Sequence, residues 1–197
     1  MLQSLDHLTD EDLARGLQQG EKYLFAELVE RYEAKILRYA RRFLFNFHDA
    51  EDAVQEVFIK AYTNIRSFDA DRRFSPWLYR IAHNELLNTL RKKIHEPVPF
   101  FDPDTLIPHP IAPEETDHTI KAKELKELMS ANLDKLPPKY REPLVLYYFE
   151  DLSYQEISDI MQIPASTIGV RINRAKQALR KNLLNSKDAY ESRAITN

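Results

Sequence analysis

Between Ala165 and Leu184 the chain carries five cations, Arg171, Arg174, Lys176, Arg180 and Lys181, and no acid. On a helical wheel, Ile168, Ile172, Ala175, Leu179 and Leu183 form one stripe. Thr167, Gly169, Val170, Asn173, Arg174, Gln177 and Lys181 fall on the other side. Arg and Asn side chains can reach base edges in a major groove, and Lys neutralises phosphates. Ser166 and Thr167 open this segment, where free helix amides suit a backbone phosphate. A solvated basic helix has the same composition. A capped helix at the right distance upstream favours contact with duplex DNA.

A second set spans 66–93. Trp77, Arg80, Asn84 and Arg91 share one helical face, opposite Leu78, Ile81, Ala82 and Leu90, and Phe68, Arg72, Arg73 and Phe74 come just before. Rings interleaved with cations suit single-stranded nucleic acid, because bases stack on rings while cations follow the backbone. Phe74 fits a core position equally well, and Trp77 is expected to be partly exposed. A third set is acidic: Asp52, Gln55 and Glu56 sit at i, i+3 and i+4, with Glu51 beside them. Such a face is solvated surface or a docking site for a basic protein helix, and it repels nucleic acid. His48-Asp49 matches the His-Asp pair of metal-dependent phosphohydrolases, but His7, His83, His95, His109 and His118 add no matching spacing. His83-Asn84-Glu85 is not His-Glu-x-x-His. No catalytic residue, metal or cofactor is expected.

Helices must position these sets. Leu24, Phe25, Leu28, Val29, Tyr32, Ile36, Ala40 and Phe43 recur at helical spacing, and so do Ala50, Ala53, Val54, Val57, Phe58, Ala61, Tyr62 and Ile65. Asp49 is the expected N-cap of the second helix. Ser75-Pro76 supplies a cap and a first-turn proline for a helix running to about Lys93. Further helices are expected over about Glu114–Leu136, Lys139–Glu150 and, after the capping box Ser153-x-x-Glu156, to about Gln162. The last runs over about Ser166–Leu184, completing a helix-turn-helix. Residues 94–118 hold Glu96, Asp102, Asp104, Glu114, Glu115 and Asp117, six prolines and no Lys or Arg. Proline lacks the amide donor and restricts its predecessor, so this stretch reads as an extended acidic linker. The expected architecture is all-α: two small helical domains, 1–93 and 119–197, joined by that linker.

Composition removes other classes. The 197 residues include no Cys and three Gly, which excludes disulfides, thiolate chemistry and Gly-rich phosphate loops. No apolar run is long enough to span a membrane, and the N-terminus is not a secretory signal, so a cytoplasmic protein without membrane insertion is expected. The formal charge of −3 argues mildly against nucleic acid as a partner, yet the charge is distributed in blocks.

His48-Asp49-Ala50-Glu51-Asp52-Ala53-Val54-Gln55-Glu56-Val57-Phe58 resembles region 2 of bacterial sigma-70 family factors of the extracytoplasmic-function (ECF) type. Trp77-Leu78-Tyr79-Arg80-Ile81-Ala82-His83-Asn84 continues that pattern. Leu136-Pro137, Tyr154-x-Glu156-Ile157 and Ile163-Pro164-x-Ser166-Thr167-Ile168-x-Val170-Arg171-Ile172-x-Arg174-Ala175 resemble region 4. The resemblance runs in order from about Phe25 to Leu183. It departs at Gly169, where the family usually has Lys or Arg, and at Gln162, where it usually has a turn glycine.

The resemblance implies a sigma factor that brings core RNA polymerase to a promoter and melts it by capturing an unstacked base, without ATP. Glu51, Asp52, Gln55 and Glu56 would face the β′ clamp. Phe68, Arg72 and Arg73 would belong to the loop that holds a flipped −10 base, with Trp77, Arg80, His83 and Asn84 nearby. Region 4 would pack on the β flap and read the −35 element with Ser166, Thr167, Gly169, Val170, Arg171, Asn173 and Arg174. An anti-sigma factor is an implied partner. A spacer of ~17 base pairs spans roughly 58 Å, and an extended linker of about twenty residues reaches ~66–72 Å. Two other readings cover part of the sequence. A helix-turn-helix repressor would bind duplex DNA alone and leaves 48–58 unexplained, whereas a His-Asp hydrolase would need a metal and be inactivated by His48→Ala.

Overall fold

The computed structural model describes residues 5, 7–44, 46–94, 129 and 131–194. All regular structure among them is helical. In order these are α1 (Asp10–Gln18), α2 (Leu24–Ala40), α3 (Phe47–Asn64), a 3-10 turn (Ile65–Ser67), α4 (Phe74–Ile94), α5 (Pro138–Phe149), α6 (Tyr154–Met161) and α7 (Ala165–Ala194). The chain divides into two compact units, the first carrying α1–α4 and the second α5, α7 and the start of α6. The acidic linker, beyond Ile94, and most of the helix expected from Glu114 lie outside the described residues.

In the first unit the apolar stripes meet at one core. Leu28, Ile36 and Tyr39 of α2, Ala53, Val57 and Ala61 of α3, and Leu78, Ala82 and Leu86 of α4 are all buried. Burying each Leu or Ile favours the fold by about 1.5–3 kcal/mol. α1 was not anticipated. Thr9 caps it by accepting the Asp12 amide hydrogen, while Asp12 accepts from the Thr9 amide. Leu13 and Leu17 anchor it. Gly20, at φ 102°, makes the turn that a side chain would strain. The expected cap at Asp49 is corrected: Asn46 caps α3 by accepting the His48 amide hydrogen at 3.0 Å. Asp49 instead lies in the first turn, where its charge suits the helix dipole.

In the second unit, Pro138 opens α5 and Pro143 sits within it. Arg141 is buried, with Nη1 donating to the Asp134 carbonyl at 3.2 Å and 3.6 Å from its carboxylate. This ties α5 to the helical turn at 131–134. The Ser153 capping box is present: Glu156 N–H donates to Ser153 Oγ at 3.3 Å and Ser153 N–H to Glu156 Oε2 at 2.7 Å. α6 stops at Gln162, which adopts φ 55°. α7 then buries Ile168, Ile172 and Ala175, and Leu179 and Leu183 are partly covered.

Candidate nucleic-acid and protein interfaces

The chain between α3 and α4 doubles back over residues 65–74. Asp69 bends it: its carboxylate accepts the Asp71 amide hydrogen at 3.1 Å, and its carbonyl accepts that of Arg72 at 3.0 Å. Arg66, Arg72 and Arg73 are exposed along this loop. Four rings close beneath it. Phe68 lies 5.4 Å from Phe74 and 5.2 Å from Trp77, and Phe74 lies 5.5 Å from both Trp77 and Tyr32. Such tilted and edge-on pairs stabilise beyond their buried area.

Two expected contact residues are buried. Phe68 is only 5% exposed, and its ring packs beneath the loop. His83 is 8% exposed and belongs to the inner side of α4. In both cases the local pattern left orientation open, and tertiary packing turned the ring inward. Trp77 is half-buried, while Arg80, Asn84 and Arg91 are exposed, so the outer face of α4 is as expected. Glu85 points inward and pairs with Lys60 of α3. Glu85 therefore places no acid on the outer, basic face of α4.

On α3, Asp52, Gln55 and Glu56 are exposed and Glu51 is partly covered, with His48 3.5 Å from its carboxylate. Ile59, 55% exposed, extends the same face by one turn. The wheel assigned it no role, yet an apolar residue beside acids is what a protein partner would bury.

On α7, Val170 is 51% exposed, and Ser166, Asn173, Arg174, Lys176, Gln177, Arg180 and Lys181 are exposed. Thr167 and Arg171 are partly covered. Gly169 does not stand open. A Cβ built there would meet Cε2 of Tyr154 at 3.3 Å. Tyr154 itself is 39% exposed and lies 5.1 Å from Tyr147. Gly169 therefore seats an aromatic ring, which no helical-wheel pattern could reveal. Arg174 Nη1 lies 3.5 Å from Tyr140 Oη, and the Lys176 ammonium stands 6.0 Å from the Tyr148 ring centre. Among the described residues, no group of three His, Asp or Glu side chains could hold a metal ion, and no helix is long and apolar enough to cross a membrane.

Comparison with known proteins matches residues 28–94 to Sigma-70 region 2 and residues 127–179 to Sigma-70, region 4. The chain is 39% identical to the ECF RNA polymerase sigma factor SigW of Bacillus subtilis, covering 86% of this chain and 94% of that protein. It is 35% identical to the RNA polymerase sigma-H factor of Pseudomonas aeruginosa, covering 88% and 93% respectively. Among solved structures it is similar to CnrH in complex with the cytosolic domain of CnrY, with 26% identity, a TM-score of 0.63, and coverage of 90% of this chain and 97% of that one.

Proposed function

The chain belongs to the ECF RNA polymerase sigma factors of the sigma-70 family, and from that premise we propose how its surfaces divide the work of starting transcription. As a sigma factor it recognises promoters and initiates transcription with core RNA polymerase in the cytoplasm. Its contribution is binding, and the catalytic centre belongs to the polymerase. Residues 1–93 form region 2, 94–118 the linker and 119–197 region 4. Glu51, Asp52, Gln55 and Glu56, extended by Ile59, dock on the β′ clamp. Arg72, Arg73, Trp77, Arg80 and Asn84 hold the melted −10 strand. Ser166, Thr167, Val170, Arg171, Asn173 and Arg174 enter the −35 major groove, and the second unit packs on the β flap. An anti-sigma factor is the regulatory partner that membership of this family leads us to propose.

One observation carries this division: the first unit exposes an acidic face on α3 and a basic, aromatic face on the 66–91 segment. Acids repel phosphates and suit a basic protein helix, whereas cations around a half-buried indole suit an unstacked strand. Charge reversal separates the two roles. Asp52→Lys with Glu56→Lys should abolish binding to core polymerase. Arg72→Ala with Arg80→Ala should leave core binding within about two-fold and weaken capture of a single-stranded −10 oligonucleotide by the holoenzyme at least ten-fold, with a reduced salt slope. Loss of core binding in the second pair, or its retention in the first, would reject the assignment.

A further inference from the structure

Three side chains of α1 grip the backbone of the 65–74 loop. Gln18 Nε2 donates to the carbonyls of Ile65, at 2.8 Å, and Phe68, at 2.7 Å, bridging the two ends of the 3-10 turn. Arg15 Nη2 donates to the Ala70 carbonyl at 3.3 Å and lies 3.7 Å from the Asp71 carboxylate. Glu11 Oε1 accepts the Phe74 amide hydrogen at 2.8 Å, at the start of α4. Positions 11, 15 and 18 are spaced i, i+4, i+7, so they share one face of α1. Their partners run in the opposite order along the loop. Apart from the Asp71 carboxylate, every contact is to main chain, so the loop's path is held while Arg66, Arg72 and Arg73 stay exposed.

We propose that α1 is a splint that presets the loop for strand capture, with Gln18 as its principal positioning residue. This rests on reading the 66–73 segment as the −10 capture loop. α1 lies ahead of residues 28–94, the part matched to region 2. A loop ordered before binding loses less conformational freedom when it closes on a base, so affinity for the melted strand depends on the splint. A splint that holds backbone also leaves the loop's side chains to set base preference independently.

The test uses holoenzyme, core polymerase and a promoter that the wild-type chain transcribes. Gln18→Glu keeps the size but sets a carboxylate against two carbonyls, and Gln18→Met keeps the size but cannot donate. Both should lower strand opening, read by permanganate reactivity of −10 thymines, by about ten-fold or more, since two hydrogen bonds are lost. Core affinity and closed-complex binding should stay within about two-fold. Filling space alone would leave Gln18→Met as active as wild type, and that result would overturn the proposal. Should either Gln18 variant unfold at the assay temperature, Arg15→Ala decides, because that side chain is 47% exposed. It should open the promoter a few-fold less well at unchanged core affinity, and wild-type opening would overturn the proposal. A wild-type chain that starts no transcript would instead reject the sigma-factor reading, and the inference with it.

Discussion

Gln162 occupies a left-handed backbone conformation, φ 55°, at the turn between α6 and α7. A non-glycine residue there costs roughly 1–2 kcal/mol, partly offset because glycine has more freedom to lose on folding. Gln162→Gly should therefore raise unfolding free energy by about 0.5–1 kcal/mol, measurable by urea denaturation. Its side-chain amide donates to the Asp159 carbonyl, which tempers the gain. Gly169 shows a different constraint. Gly→Ala in a helix interior is worth about 1 kcal/mol. Here the new methyl would press on Tyr154, so the gain should appear in a Tyr154→Ala background and be largely absent in wild type. Equal effects in both backgrounds would show that the ring does not govern the position. Gly169→Arg must displace the same ring to reach a groove, and an altered −35 preference in that variant is the expected result. An unchanged promoter profile would count against groove placement there.

At the scale of elements, α2, α3, α4 and α7 were legible because their apolar residues repeat at helical spacing, α5 because it is rich in Leu and Tyr after Pro137-Pro138, and α6 because a capping box opens it. Ser153 and Glu156, and the prolines at 137, 138 and 164, marked several of their ends. α1 was not legible, because it has nine residues and its anchors Leu13 and Leu17 make too short a pattern. Its signal was Thr9-x-x-Asp12, a capping pair with Asp in place of the usual Glu. The outer faces of α3, α4 and α7 were readable from wheels. The inward turn of Phe68 and His83, and the ring on Gly169, depend on contacts between elements that no local pattern encodes. Stability follows the same division. Ile172→Ala, at a fully buried position of α7, should cost about 2–5 kcal/mol. Arg174→Ala, on the exposed face, should cost little stability and lower the salt slope of duplex promoter binding by about one, read by titrating affinity against salt.

Over the whole molecule, two family-matched regions follow in chain order, 28–94 and 127–179, and the proposed account gives the melted strand to the first and the duplex to the second. The net charge of −3 fits that account: the free chain should bind DNA more weakly than the holoenzyme, in which polymerase brings both DNA-facing surfaces into use. The acidic segment between them should contribute to assembly by mimicking nucleic acid within a basic channel. Neutralising Glu96, Asp102, Asp104, Glu114, Glu115 and Asp117 should weaken holoenzyme formation, measured by titration of labelled chain with core enzyme. Unchanged affinity would remove the linker from the account. The most direct test of the central claim is run-off transcription by core RNA polymerase on a genomic promoter library, with and without this chain. New start sites sharing a −35 and a −10 motif are the predicted result. Core polymerase that neither binds the chain nor gains any start site would contradict it and leave a duplex-binding repressor as the better description.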